Sequence, residues 1–166
     1  MPPSRVEVVE GDLLDQPVEA IVNPWNRNVI PWWLLFPQGV SGAIRRRAGR
    51  EPFRQLGRMG PIPLGQAVAT TSGRLPFRAI IHVAGINLLW RSSEASIRAS
   101  VRNAATLAGS LGLESLAFPL IGAGTGGGRP DQVLTWMREE LGRCEFHGLV
   151  RIVRFVPGSL GSGRSF

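Results

Sequence analysis

Hydrophobic positions along the chain alternate between short runs typical of strands and longer runs with helical spacing. Period-two alternation, or a short apolar run between turn residues, predicts six strands. They cover Arg5–Glu10, Ala20–Asn23, Gln66–Thr71, Ala79–Ala84, Ser115–Pro119 and Leu149–Val156. Helical spacing predicts three helices, over Gly39–Ala48, Glu94–Leu111 and Asp131–Leu141. Strands that alternate with helices predict an α/β protein, a three-layer α/β/α sandwich with a mixed, mainly parallel central sheet.

The composition fits one globular domain of this kind. The chain has 166 residues, of which 43% are hydrophobic and 19% charged. No apolar run approaches the ~20 residues of a membrane span, and the first residues lack the apolar middle of a secretory signal. A single cysteine, Cys144, excludes an internal disulfide. We expect a cytoplasmic protein with one domain over residues 1–157 and a flexible Gly/Ser-rich tail over 158–166.

The charge pattern indicates an anionic partner, or simply a well-solvated surface. All 19 positive side chains are arginines, and the net charge is +7. The planar guanidinium suits phosphate groups. Arg45–Arg47 form a candidate nucleic-acid patch, although consecutive helical positions point in different directions and fit a solvated helix face equally. The absence of lysine excludes a lysine nucleophile or Schiff base.

Glycine-rich segments follow two of the predicted strands. Five of the seven residues from Gly122 to Gly128 are glycines, and a helix follows; Gly39–Gly42 also precedes a helix. Bare backbone leaves N–H groups free to approach an anion, and a helix start adds positive dipole. Two such loops facing each other would hold a diphosphate. Asp12, after the first strand, can accept a hydrogen bond from an exocyclic amine such as that of adenine, or can serve as a turn or cap residue.

Four sequence blocks resemble, in order, the conserved blocks of the macrodomain family. They read VVEGDLLDQPVEAIVNPWN, GVSGAIRRRAG, LGQAVATTSGRLPFRAIIHVAG and RNAATLAGSLGLESLAFPLIGAGTGGG. The resemblance covers roughly residues 5 to 156. It implies a mixed-sheet α/β/α sandwich that binds ADP-ribose, and many members of the family cleave ADP-ribose from proteins or nucleic acids.

The resemblance also implies roles for individual residues. Asp12 resembles the adenine contact, Leu13 its neighbouring backbone contact, and Asn26 the asparagine beside the distal ribose. Phe155 resembles the aromatic residue that lies against adenine in the family, although a core phenylalanine is the alternative. The two phosphate loops correspond to Gly39, Val40, Ser41 and Gly42, and to Gly122, Ala123, Gly124, Thr125 and Gly126.

The catalytic residues of the family's hydrolase branches are missing from this chain. One branch has an aspartate and a histidine where this chain has Ser41 and Arg45, and a serine cannot act as a carboxylate base. Another branch needs a lysine and a second-loop aspartate, where Gly126 or Gly127 stands here. Neither mechanism carries over. The remaining hypothesis is a substrate-assisted reaction in which Asn26 positions the ribose or water.

The second loop also lacks the aromatic residue that many family members set over the distal ribose. An apolar insert between Arg27 and Gln38 brings two tryptophans and a phenylalanine next to the first loop. We expect Trp32, Trp33 or Phe36 to fold over the distal ribose as a lid. The alternative is that these side chains pack on a neighbouring helix or form a partner surface.

The leading hypothesis is a macrodomain that hydrolyses mono-ADP-ribosyl linkages, with esters of Asp or Glu as candidate substrates. The partners would be ADP-ribose or an ADP-ribosylated protein, with nucleic acid as a further modified substrate. The alternatives are a non-catalytic ADP-ribose reader and a basic nucleic-acid-binding module. No cofactor and no metal site is expected. His82, inside a predicted strand, is expected to be a structural histidine.

Overall fold

The computed structural model describes residues 4–35, 39–87, 89, 91–123 and 129–156. Within these residues the chain forms six strands, four α-helices and a short 3-10 turn over Leu13–Asp15. The strands are β1 Arg5–Glu10, β2 Ala20–Trp25, β3 Ala67–Thr70, β4 Ala79–Ala84, β5 Ser115–Pro119 and β6 Leu149–Arg154. The helices are α1 Gly39–Ala48, α2 Glu51–Arg58, α3 Glu94–Ser110 and α4 Pro130–Leu141.

The strands form one sheet in the order β1-β6-β5-β2-β4-β3. Strand β3 pairs antiparallel with β4, and all other pairs are parallel. This confirms the mixed, mainly parallel sheet. Because the carboxyl ends of parallel strands lie at one edge, the segments that follow β1, β2, β4, β5 and β6 gather there. No helix in the described part of the chain is long and apolar enough to cross a membrane.

A separate hydrophobic core lies on each face of the sheet. Along β2, Ala20 and Val22 face helices α3 and α4, whereas Ile21 and Trp25 face helices α1 and α2. This alternation follows from the two-residue period of a strand. Both faces of the central strands are thus buried, which explains the continuous apolar runs of β2 and β4.

The structure corrects the predicted elements at three places. Helix α2 was not predicted, because its eight residues include Pro52 and Gly57, which disfavour a helix, and only two large apolar side chains, Phe53 and Leu56. Strand β2 continues to Trp25 through Pro24, which is tolerated because β5 pairs only with the first two residues of β2. Strand β6 ends at Arg154, since its last partner on β1 is Glu10.

Candidate functional site

Two cavities meet at the carboxyl edge of the sheet and form one cleft. The larger, of about 750 Å³, lies beside the ends of β1 and β6, and the smaller, of about 220 Å³, lies between the ends of β2, β4 and β5. Gly39 and Val40 line both cavities. The start of α1 therefore separates two compartments of a single cleft, whose dimensions suit a small-molecule ligand.

Asp12 lies at the outer end of the larger cavity and also caps the 3-10 turn. Its Oδ1 accepts a hydrogen bond from the backbone N–H of Leu14 at 2.8 Å. Its Oδ2 lies 3.8 Å from Arg47 Nη1, and 21% of the side chain remains exposed. Asp12 thus has the cap role that the sequence left open. Asp12 and Leu13 both line the cavity.

Phe155 follows β6 directly and lines the larger cavity. The side chain is 60% exposed, so Phe155 is not a core residue. An exposed aromatic ring beside an aspartate is a suitable surface on which a flat heterocycle can stack.

The first predicted phosphate loop is the first turn of helix α1. Its leading backbone N–H groups have no acceptor within the helix, and the helix dipole adds positive charge there. Gly39 has φ +59° and open space where a side chain would lie. Val40 and Ser41 line the smaller cavity, whereas Gly42 is buried and lines a groove on the outer side of α1.

The second predicted phosphate loop begins at the end of β5. Gly122 lines the smaller cavity opposite Ser41. Its φ is +74°, and a side chain there would collide with the Ser92 hydroxyl, so only glycine fits. Ala123 packs against the core under α3 and α4. Gly124, Thr125 and Gly126 lie outside the described residues.

A buried chain of hydrogen bonds runs from Ser41 into the sheet. The Ser41 hydroxyl donates to Asn23 Oδ1 at 2.7 Å, and Asn23 Nδ2 lies 3.0 Å from His82 Nδ1. His82 Nε2 lies 2.8 Å from the Thr70 hydroxyl, which donates to the carbonyl of Thr71. Since Asn23 Oδ1 is an acceptor, its Nδ2 donates to His82, and the imidazole proton is therefore on Nε2.

This chain of hydrogen bonds determines what Ser41 and His82 can do. Burial lowers the pKa of His82 to about 3, so the ring is neutral. The predicted structural role of His82 thus agrees with its contacts. The proton of Ser41 is directed away from the cleft, and a carboxamide separates the serine from the imidazole. Ser41 therefore has no base to activate it as a nucleophile.

Asn26 lies directly after Trp25, which lines the smaller cavity, although Asn26 itself is not among the residues that line either cavity. Its Oδ1 accepts a hydrogen bond from the backbone N–H of Asn28 at 2.6 Å. Asn28 in turn donates to the carbonyl groups of Leu56 and Gly60. Helix α2 thereby fixes this turn. The Nδ2 of Asn26 donates to none of the described residues.

The tryptophan insert packs on helix α2, which differs from the lid expected at the distal ribose. Trp32 lies so close to the helix that a Cβ at Gly57 would be 2.8 Å from its Cδ1. Its ring centroid is 6.5 Å from that of Phe53. Trp33 lines a groove beside Trp32 and not the cleft. The apolar surface of α2, a helix that sequence analysis missed, provides the burial site. Phe36 lies outside the described residues.

Several residues that complete the cleft were not predicted from the sequence. Arg46 and Arg47 extend from α1 to the larger cavity, where Arg47 also pairs with Asp15 at 3.1 Å. The smaller cavity includes Gly85 and Ile86, which follow β4. Their position after a strand of the parallel sheet is a signal that could have identified them.

Comparison with known proteins identifies the family. The Macro domain model matches residues 22–137. The chain therefore belongs to the macrodomain family, as the sequence blocks indicated.

Three similar proteins illustrate the relationship. A Streptomyces griseus protein described as macro domain-containing is 42% identical over 126 residues, which cover 72% of this chain and 68% of the relative. The O-acetyl-ADP-ribose deacetylase of Citrobacter rodentium is 37% identical, covering 75% of this chain and 71% of the relative. A variant of the Oceanobacillus iheyensis macrodomain, solved with ADPR, superposes with a TM-score of 0.79 at 27% identity, covering 93% of this chain and 87% of that structure.

Proposed function

We propose that the cleft binds ADP-ribose and that the protein hydrolyses mono-ADP-ribosyl linkages, with carboxylate esters as the first substrate class. The observation that carries this proposal is the division of the cleft by the start of α1. A diphosphate at the leading N–H groups of α1 would place one nucleoside in the larger cavity, beside Asp12 and Phe155. The distal ribose would enter the smaller cavity, between Ser41 and Gly122. The similar deacetylase and the ADPR-bound structure support this assignment.

The chemistry of the smaller cavity favours ester substrates. No described residue that lines it is a carboxylate or an imidazole. A reaction there lacks a protein base, so a water molecule would be oriented by the substrate's own phosphate and by Asn26 Nδ2. Water attacks the distal C1″ as its bond to the ester oxygen breaks, the carboxylate leaves with the bonding electron pair, and the proton lost by the water passes to the departing carboxylate or to solvent. Carboxylates are good leaving groups, which makes this class compatible with a site that has no strong base.

The contacts of Ser41 favour a second candidate function, a non-catalytic ADP-ribose reader. Because the hydroxyl donates inward to Asn23, it neither attacks nor deprotonates anything in the cleft. Incubation with glutamate-linked and serine-linked mono-ADP-ribosylated proteins, with free ADP-ribose measured by mass spectrometry, separates the two functions. Release supports the hydrolase, and calorimetric ADP-ribose binding without release supports the reader. Absence of both release and binding contradicts both.

The variant Asn26→Asp tests the positioning of water. It keeps the oxygen that accepts from Asn28 but removes the Nδ2 donor, so the turn should persist. We expect release to slow about ten-fold or more, since one hydrogen bond in the transition state contributes about 1–2 kcal/mol. The melting temperature should stay close to that of the wild type. A release rate equal to that of the wild type would remove Asn26 from the mechanism.

A further inference from the structure

Helices α1 and α2 carry an excess of arginine on the outer surface of the protein. Within their bounds lie five arginines and one glutamate, a net excess of four positive charges, of which Arg47 pairs with Asp12 and Asp15 outside the helices. Arg50, between the two helices, adds a fifth. Positive charges at this density repel one another, which destabilises the folded protein unless an anion binds there.

These arginines have few carboxylate partners. Among the described residues, Arg46, Arg50 and Arg58 have no carboxylate oxygen within 4.0 Å, and Arg54 reaches Glu51 only at 4.0 Å. The exposed side chains therefore present their N–H donors to solvent. Guanidinium groups without internal partners are available to phosphate oxygens.

The arginines line one continuous track. An arginine groove of about 730 Å³ is formed by Arg45, Arg46, Arg50, Arg54 and Arg74. Arg54 also lines the neighbouring groove of about 500 Å³, which contains Trp32, Trp33 and Arg58. At the other end, Arg46 reaches the larger cavity of the cleft. The track therefore leads from the cleft across α1 and α2 to the tryptophans.

The tryptophan end of the track presents an exposed aromatic ring. Trp33 is 62% exposed, whereas Trp32 is held between α2 and the Arg45 guanidinium, 5.1 Å from its ring centroid. Trp32 lines the second groove and contacts Arg45, which lines the arginine groove, so the two grooves are adjacent. Trp33 is available to stack on a planar group.

We propose that this surface binds single-stranded nucleic acid, with phosphates in the arginine groove and a base stacked on Trp33. A row of guanidinium groups beside an exposed aromatic ring is the arrangement that single strands require. A duplex would keep its bases stacked within the helix and away from Trp33. An acidic peptide would satisfy the arginines but not the ring. This surface adjoins the ADP-ribose cleft at Arg46, but Arg50, Arg54 and Trp33 do not line the cleft, and the inference does not depend on the proposed hydrolysis.

The test measures fluorescence anisotropy of labelled 12-nucleotide oligo(dT) and oligo(U) with the full chain, in saturating ADP-ribose and over a series of salt concentrations. We expect salt-dependent binding by the wild type. The double variant Arg50→Ala/Arg54→Ala should bind about ten-fold or more weakly. Its slope of log K against log salt should become shallower by about 0.7 for each phosphate that the variant no longer neutralises. Trp33→Ala should bind about ten-fold more weakly.

Arg138→Ala/Arg143→Ala is the matched control, because it removes the same charge from exposed positions at α4. It should bind within about two-fold of the wild type. Equal losses of affinity in both double variants, or no binding by the wild type, would overturn the inference. So would binding that is independent of Trp33 and is fully displaced by polyglutamate. Calorimetry with ADP-ribose on Arg50→Ala/Arg54→Ala should match the wild type, so a failed ADP-ribose proposal remains distinguishable from a failed nucleic-acid one.

Discussion

Helices α3 and α4 pack on one face of the sheet and carry several paired charges. Helices α1 and α2 pack on the other face beside a buried chain of hydrogen bonds, and most of their arginines have no carboxylate partner. Under α3 and α4 the core is filled by side chains such as Val101, Phe118 and Met137, all with no exposure. Under α1 and α2 the core contains equally buried apolar side chains such as Phe53 and Leu56 and, in addition, the polar side chains of Asn23 and His82. Both faces therefore gain stability from apolar burial, and the α1/α2 face also holds polar groups in fixed positions.

The charges on the two helical layers differ in the same way. On α3 and α4, Glu140 is paired with Arg102 at 2.7 Å and with Arg98 at 3.8 Å. Hydrogen bonds to Glu139 and then Glu94 raise the pKa of Arg98. The Arg98 and Arg102 donors of that layer are thus paired internally. On α1 and α2, Arg47 pairs with Asp15, but Arg46 and Arg58 have no carboxylate oxygen within 4.0 Å among the described residues.

The largest expected effect tests whether the α3/α4 layer serves stability alone. Met137→Ala removes a fully buried side chain from that core. We expect the free energy of unfolding to fall by about 2–5 kcal/mol, because apolar burial is removed and a cavity is left behind. Urea denaturation measures the change. ADP-ribose affinity, measured well below the melting temperature, should be unchanged, and a weaker affinity in the folded variant would contradict the division between the two faces.

Acidification should weaken the α1/α2 face through His82. Burial lowers the pKa of the His82 ring to about 3 from the ordinary 6.5. Between these pH values the unfolded chain therefore binds a proton at His82, and the folded chain does not. The stability contribution is complete above pH 6.5 and is lost progressively as the pH falls toward 3. At pH 5 the loss should be about 2 kcal/mol relative to pH 7.5. Urea midpoints at a series of pH values measure it.

His82→Gln is the matched control for this pH dependence. A carboxamide offers one acceptor and a donor, so it can accept from Asn23 and donate to Thr70 in the same way as the neutral imidazole. Because glutamine does not titrate, the variant should lack most of the stability change between pH 6.5 and 5. If its midpoints fall as steeply as those of the wild type, the pH dependence arises elsewhere, and His82 does not distinguish the two faces.

The sequence predicted the sheet well because buried strands leave apolar runs that can be seen locally. It failed where the structure depends on contacts between distant segments. Asn23 meets His82 across 59 residues only because β2 and β4 pair in one register. Trp32 could not be placed without helix α2, whose short segment contains Pro52 and Gly57 and few apolar residues. Asp12 could be assigned both roles from its position after β1, but only the structure shows that it caps the turn and lines the cleft at the same time.

Two glycines with the same backbone geometry provide the sharpest test of the cleft. Their substitution has the smallest expected effect on stability. Gly39 has φ +59° and Gly112 has φ +69°, and a side chain at either would meet nothing within 4 Å. Substitution by alanine should cost each variant about 1 kcal/mol of stability, because the left-handed conformation strains an L-residue.

Only the new methyl group at Gly39 enters the space between the two cavities. Calorimetry should therefore show about ten-fold weaker ADP-ribose binding for Gly39→Ala and unchanged binding for Gly112→Ala. Equal affinities would mean that the start of α1 does not contact the ligand, and the functional side of the molecule would have to be sought elsewhere than beside α1.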